Sequence, residues 1–180
     1  EEAQHAGVFA FNAGVVDERL SSLFISFLPT MPEFYVPTLS RYAFYADVEG
    51  FVRRVLADKN FRASLPEEFI TFCMSPEYAS RIREQIPNSA YLKSRQSLLR
   101  DNMTTIINNY GSISLGTDLP AFPGISAHIE LEEIVNGGLT PMQSLGVATA
   151  LGGQYLGASA GVGIIFPGGK ADLLVLDADP

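Results

Sequence analysis

Leu115-Gly116-Thr117-Asp118 ends a short apolar run, Ser112 to Leu115, with a carboxylate. An apolar strand that delivers an aspartate at its carboxyl end is how a parallel α/β barrel places a metal ligand or a catalytic base. The same four residues also fit a turn aspartate that caps the next segment, and spacing alone favours that plainer reading.

Further polar side chains fall within reach of the same place. Tyr35 and Thr38 flank the end of a second apolar run, Phe34-Tyr35-Val36, which Pro37 stops. Both could touch a substrate, although packing is the default role for an aromatic such as Tyr35. Arg41 and Tyr42 follow at the same mouth. His128 opens the segment after Asp118, where it either faces the mouth or is simply a polar residue at a helix start. His5, the other histidine, precedes a strand and would lie at its far end.

Other chemistries find little support. Cys73 is the single cysteine, which excludes an intrachain disulfide and a multi-cysteine zinc site, and its neighbours Phe69, Ile70, Phe72 and Met74 read as core. Gly161-Val162-Gly163 lacks the strand–turn–helix setting and third glycine of a dinucleotide loop. Ser112, Ser114 and Ser126 lack a Gly-x-Ser-x-Gly elbow.

The elements that must position these residues alternate. Gly7 to Asn12 reads as a strand, Asp17 to Phe27 as a helix with Asp17 at its N-cap, and Phe34 to Val36 as a second strand. From Tyr42 to about Ala90 amphipathic pieces (Val48 to Ala57, Pro66 to Met74, Pro76 to Gln85) are separated by prolines. Tyr91 to Tyr110 carries apolar residues at helical spacing, with Gly111 as a stop. Ser112 to Leu115 is a third strand, and Ala127 to Asn136 a helix. Thr140-Pro141-Met142-Gln143 is a capping box that opens a helix to about Leu156. Gly152-Gly153 inside that helix implies close packing or a break. Gly161 to Ile165 and Asp172 to Asp177, around Pro167-Gly168-Gly169-Lys170, read as a hairpin-like pair of strands. This order is α/β logic with parallel strands.

Several of these pieces carry a resemblance. Tyr35-Val36-Pro37-Thr38-Leu39, Leu115-Gly116-Thr117-Asp118, His128 with Glu130-Leu131-Glu132, and Gly138-Leu139-Thr140-Pro141 occur in that order. Ala148-Thr149, Leu156-Gly157, Pro167-Gly168, Ala171-Asp172-Leu173 and Asp177-Ala178-Asp179-Pro180 follow. Together they resemble the amidohydrolase superfamily, in its imidazolonepropionase-like and Xaa-Pro-dipeptidase-like branch. The likeness is close over residues 112–180, fair over 7–40 and poor over 41–90.

The resemblance implies the C-terminal part of a (β/α)8 TIM-type barrel, strands six to eight, followed by the start of a small β-sandwich return. Residues 1–157 would be the partial barrel, with an irregular helical excursion over 41–90, and residues 158–180 the sandwich strands. It implies a metal-dependent hydrolase of carbon–nitrogen bonds (amide, cyclic amide or Xaa-Pro-type) in which metal-activated water attacks a carbonyl. Asp118 would be both metal ligand and proton shuttle, and His128, Tyr35 and Thr38 substrate contacts.

The chain departs from the family in its metal donors. No His-x-His occurs, and the strand-six histidine position falls on Ala13, beside Asn12. A hydrolytic zinc needs about three protein ligands plus an open position. Zinc or another divalent metal is therefore expected in an intact protein and none on this chain alone, which by itself should be inactive. A non-catalytic remnant and an unrelated small α/β binding module are the alternatives. Both ends read as cuts in a longer chain: there is no initiator methionine, and Pro180 comes just after an apparent strand.

Composition limits the partners. The chain has 180 residues, 47% hydrophobic, with 20 acidic and 12 basic side chains and a net charge of −8. No basic cluster is present to hold nucleic acid or an anionic membrane surface, and no apolar run approaches the roughly 18 residues of a membrane helix. The expected partner is a small molecule or dipeptide; a homo-oligomer is compatible, and the compartment stays open.

Overall fold

The computed structural model describes residues 9–12, 14–86, 88–157 and 161–178. His5 and Ala13 lie outside them, as does the start of the first expected strand.

Three strands form one sheet in the order β1-β2-β3, both pairs parallel: β1 (Ala10–Asn12), β2 (Phe34–Val36) and β3 (Ser112–Ile113). Ala10, Phe11 and Asn12 stand opposite Phe34, Tyr35 and Val36, while Phe34 and Tyr35 stand opposite Ser112 and Ile113. Alternation along a strand therefore puts Phe11, Tyr35 and Ile113 on one face and Asn12, Val36 and Ser112 on the other.

Helix α1 (Ser22–Phe27) links β1 to β2. It starts later than Asp17, because Ser21 is the side chain that accepts from the Phe24 N–H, at 3.1 Å. Seven helices then separate β2 from β3: α2 (Leu39–Ala46), α3 (Val48–Ala57), α4 (Lys59–Ala63), α5 (Glu67–Cys73), α6 (Pro76–Gln85), α7 (Ser89–Ser94) and α8 (Gln96–Asn108). The expected single helix over 91–110 is thus two, α7 and α8, joined at Arg95. After β3 come α9 (Ser126–Asn136), α10 (Pro141–Gly146), a π-type turn (Val147–Leu151) and α11 (Gly152–Tyr155). The Thr140–Gln143 capping box forms as its sequence requires, each side chain accepting from the other residue's N–H.

Two cores follow from the apolar spacing. Tyr35 and Ile113 of the sheet pack with Leu99, Met103 and Ile106 of α8 and Ile134 of α9. The 41–90 region builds a second core. On α3, Val48, Phe51, Val52, Val55 and Leu56 recur at three-to-four spacing and meet Phe44, Ile70 and Cys73, with Phe122 and Ile129 from the segment after β3. Cys73 is buried as expected, and so is Ile70, whereas Phe72 and Met74, expected in the core, are exposed.

This architecture corrects the expected fold. The chain is about 57% helical with three short parallel strands in one open sheet, and it is not strands six to eight of a (β/α)8 barrel with a β-sandwich return. The apolar runs at Ala10–Asn12, Phe34–Val36 and Ser112–Ile113 do form parallel strands, but not the barrel expected from them. Strands of two or three residues make too little ladder to curve into a barrel wall, and helices with their own core account for most of the chain. The expected strands over 161–165 and 172–177 are irregular. A strand needs a partner for its backbone groups, and here the Lys170 N–H to Gly161 carbonyl bond, 2.9 Å, joins the two segments without a ladder. Val175 is 97% exposed.

Gly153 shows why the late helix carries small residues. A Cβ there would lie 2.3 Å from the Val162 carbonyl oxygen, so the returning segment presses backbone against backbone.

Candidate functional site

In open parallel sheets ligands bind beyond the carboxyl ends of the strands, where the connections diverge. The chain has a cleft of about 280 Å³ there, lined by Asn12 at the end of β1, Val36 at the end of β2 with Thr38 beyond it, Leu115 to Asp118 after β3, and Tyr155 of α11. All three strands contribute. Gly116 lets the loop after β3 lie close over β2, since a Cβ would meet the Val36 Cγ1 at 2.4 Å.

Two of the lining residues hold a backbone conformation that their side chains disfavour. Thr38 has φ 50° and Asp118 φ 41°. The left-handed region costs an L residue roughly 1–2 kcal/mol, and a β-branched residue is least suited to it. Strain of this kind collects at functional sites; of the four described non-glycine residues with positive φ, Thr38 and Asp118 border this cleft and Tyr110 and Phe122 do not. Thr38 is also buried, and its Oγ1 has no hydrogen-bond partner among the described residues.

The left-handed turn at Thr38 removes it as a side-chain cap for α2. Glu130, from α9, takes over that task. Its Oε1 accepts from the Leu39 N–H at 2.8 Å, and its Oε2 accepts from the Ser40 N–H at 2.8 Å and the Ser40 hydroxyl at 2.5 Å. A carboxylate across a helix N-terminus meets both the free N–H groups and the positive end of the dipole. Burial nevertheless pushes the Glu130 carboxyl up to about 7, against the pull of these bonds. Nearby, Glu133 anchors the helices by ion pairs to Arg54, 2.5 Å, and Arg100, 2.9 Å.

Asp118 stands in the cleft, its side chain 64% exposed and its Oδ2 paired with the Arg41 guanidinium of α2. Arg41 in turn lies over the Tyr45 ring, 5.5 Å from its centroid. Thr38 shares the cleft with Asp118. Tyr35 and His128 do not line it. The Tyr35 ring is buried on the opposite face of the sheet, and its hydroxyl accepts from the Val15 N–H at 3.2 Å. Burial pushes that phenol up to about 12. His128 is exposed, with its ring 6.1 Å from that of Phe61 in α4.

The donor set does not fit a zinc site. Asp118 is the one carboxylate lining the cleft, and no imidazole or thiolate accompanies it among the described lining residues. The guanidinium already bonded to it opposes a second cation. Nor does any group of three or more His, Cys, Asp and Glu among the described residues come together as metal ligands.

Tyr155 and Glu130 are the contributors that a search for catalytic spacing passes over, whereas the place of Arg41 just after the second apolar run already puts it at this mouth. Glu130 did leave a signal: it lies between Ile129 and Ile134 on the buried side of α9, where a glutamate needs a specific partner. No protein-family model, curated protein or solved structure matches the chain. The fold and cleft define a class: an open parallel α/β chain with a cleft at the carboxyl ends of its strands.

Proposed function

We propose that the strand-end cleft binds a small polar substrate with a carbon–nitrogen bond, and that Asp118 takes the proton from the water that hydrolyses it. What carries the reading is the position of Asp118: a strained, accessible carboxylate beyond the carboxyl end of β3, in the same cleft as Thr38, whose hydroxyl has no partner among the described residues. In this role Arg41 orients the carboxylate, and Thr38 offers its hydroxyl to a substrate carbonyl. The resemblance to amidohydrolases gives the bond class; its metal does not fit the donors of this cleft, and no step here passes through one. The proposal rests on the parallel strand ends and needs no barrel.

The Arg41–Asp118 pair favours a second reading, a non-catalytic site that binds polar molecules. Turnover of N-acyl amino acids, cyclic imides and Xaa-Pro dipeptides, with and without added zinc, separates the two. Hydrolysis that Asp118→Asn abolishes supports the first. Turnover unchanged by Asp118→Asn overturns it, and binding without turnover leaves the second.

A further inference from the structure

A second cavity lies on the opposite face of the sheet. It measures about 470 Å³, within the size range of small-molecule sites. Phe11 and Tyr35 of the sheet, Phe24 of α1 and Ile106 of α8 make its walls largely apolar. Asn12 is the one residue it shares with the strand-end cleft.

The space is framed by fixed elements. Residues 14–20 run along it and are tied down from three sides. The Asn102 amide of α8 donates to the carbonyls of Val15, 3.0 Å, and Glu18, 2.9 Å, and accepts from the Leu20 N–H, 3.2 Å. The Tyr42 hydroxyl of α2 donates to the Gly14 carbonyl, 3.3 Å, and the Tyr91 hydroxyl of α7 donates to Asp17 Oδ1, 2.7 Å. A segment held this way does not fall inward to fill the gap, so the cavity is preformed.

One polar group in the wall is left unsatisfied. Glu33 is 9% exposed, and its Oε2 has no hydrogen-bond partner among the described residues. A buried carboxylate oxygen without a donor is costly, and such exceptions in a folded chain call for an absent partner. Asp17 also borders the cavity, whereas no lysine, arginine or histidine does among its described lining residues. The wall thus lacks a donor of positive charge and holds two carboxylates.

We infer that this cavity binds a small organic ammonium compound, with its apolar body against Phe24 and Ile106 and its N–H groups directed to Glu33. An ammonium supplies the missing donors and the missing charge together. An alcohol of the same shape supplies a donor only, and a carboxylate adds repulsion. This site is separate from the hydrolytic reading of the cleft and stands or falls without it.

Calorimetric or ligand-detected NMR titration with cyclohexylmethylamine, cyclohexylmethanol and cyclohexanecarboxylate at neutral pH tests it. The expected order is amine, then alcohol, then carboxylate, with the amine at least about tenfold tighter than the carboxylate. Glu33→Gln should bring the amine to the level of the alcohol and leave the alcohol unchanged. Val16→Trp, which fills the space beside residues 14–20, should remove binding of all three. Asp118→Asn should alter none of them. Equal affinity for the three probes, no binding of the amine, or amine binding that survives Val16→Trp or is lost in Asp118→Asn would overturn the inference.

Discussion

Thr38 concentrates two costs in one residue, a left-handed backbone and a buried hydroxyl without a partner among the described residues. Thr38→Val keeps the shape and the backbone and removes the orphaned polar atom. It should raise the unfolding free energy by about 1 kcal/mol in urea titration, while weakening any ligand that bonds the hydroxyl in the cleft. A loss of stability would mean that the hydroxyl has a partner in solution. Glu130 poses the complementary question, since its bonds favour a charge that burial resists. Its carboxyl is raised from 4.5 to about 7. The folded chain then holds the proton more tightly than the unfolded chain, so rising pH destabilises the fold across that interval. The contribution is whole below 4.5 and lost above about 7. Glu130→Gln keeps one acceptor oxygen and cannot titrate. Relative to this variant, the native chain should lose roughly 2–3 kcal/mol between the two ends of the interval, measured as denaturant midpoints at a series of pH values. A constant difference would contradict the raised carboxyl.

At the scale of elements, Asn102 shows how a single amide from α8 sets the path of a loop more than eighty residues earlier. Its three bonds to Val15, Glu18 and Leu20 are satisfied within a site where the side chain is 1% exposed. Asn102→Ala should cost about 2–4 kcal/mol, since it strands buried backbone groups as well as removing contacts. Amide exchange should quicken at Val15 to Leu20 while α3 keeps its protection. Loss confined to α8 would place the energy elsewhere. Long-range ties of this kind are what the sequence hides. The helices α3 and α6 were legible to the residue, because Asp47 and Ser75 cap them and their apolar spacing is local. The Thr140–Gln143 capping box was legible for the same reason. The strand-end position of Asp118 and Thr38 could be read from two apolar runs, yet Arg41 meeting Asp118 and Glu130 capping α2 depend on how distant elements pack. Tyr35 went the other way: period-two alternation put its ring on the far side of the sheet from the cleft.

The whole molecule carries a contradiction between charge and surface. A net charge of −8 keeps copies apart, while the return segment presents Ile165, Leu174 and Val175 at 86%, 90% and 97% exposure. An apolar run read from sequence as a strand fails to become one here because no described neighbour offers it a ladder, and its side chains remain a patch that water disfavours. Screening of the charge should therefore favour self-association. Sedimentation velocity at rising salt should show growth in mass, since a Debye length of about 10 Å at 0.1 M shrinks to about 3 Å at 1 M. Leu174→Lys combined with Val175→Lys separates the two causes. These substitutions lower the magnitude of the net charge, so if repulsion alone governed association they would promote it. If the apolar segment is the adhesive element, the double variant should remain monomeric at salt concentrations where the native chain associates.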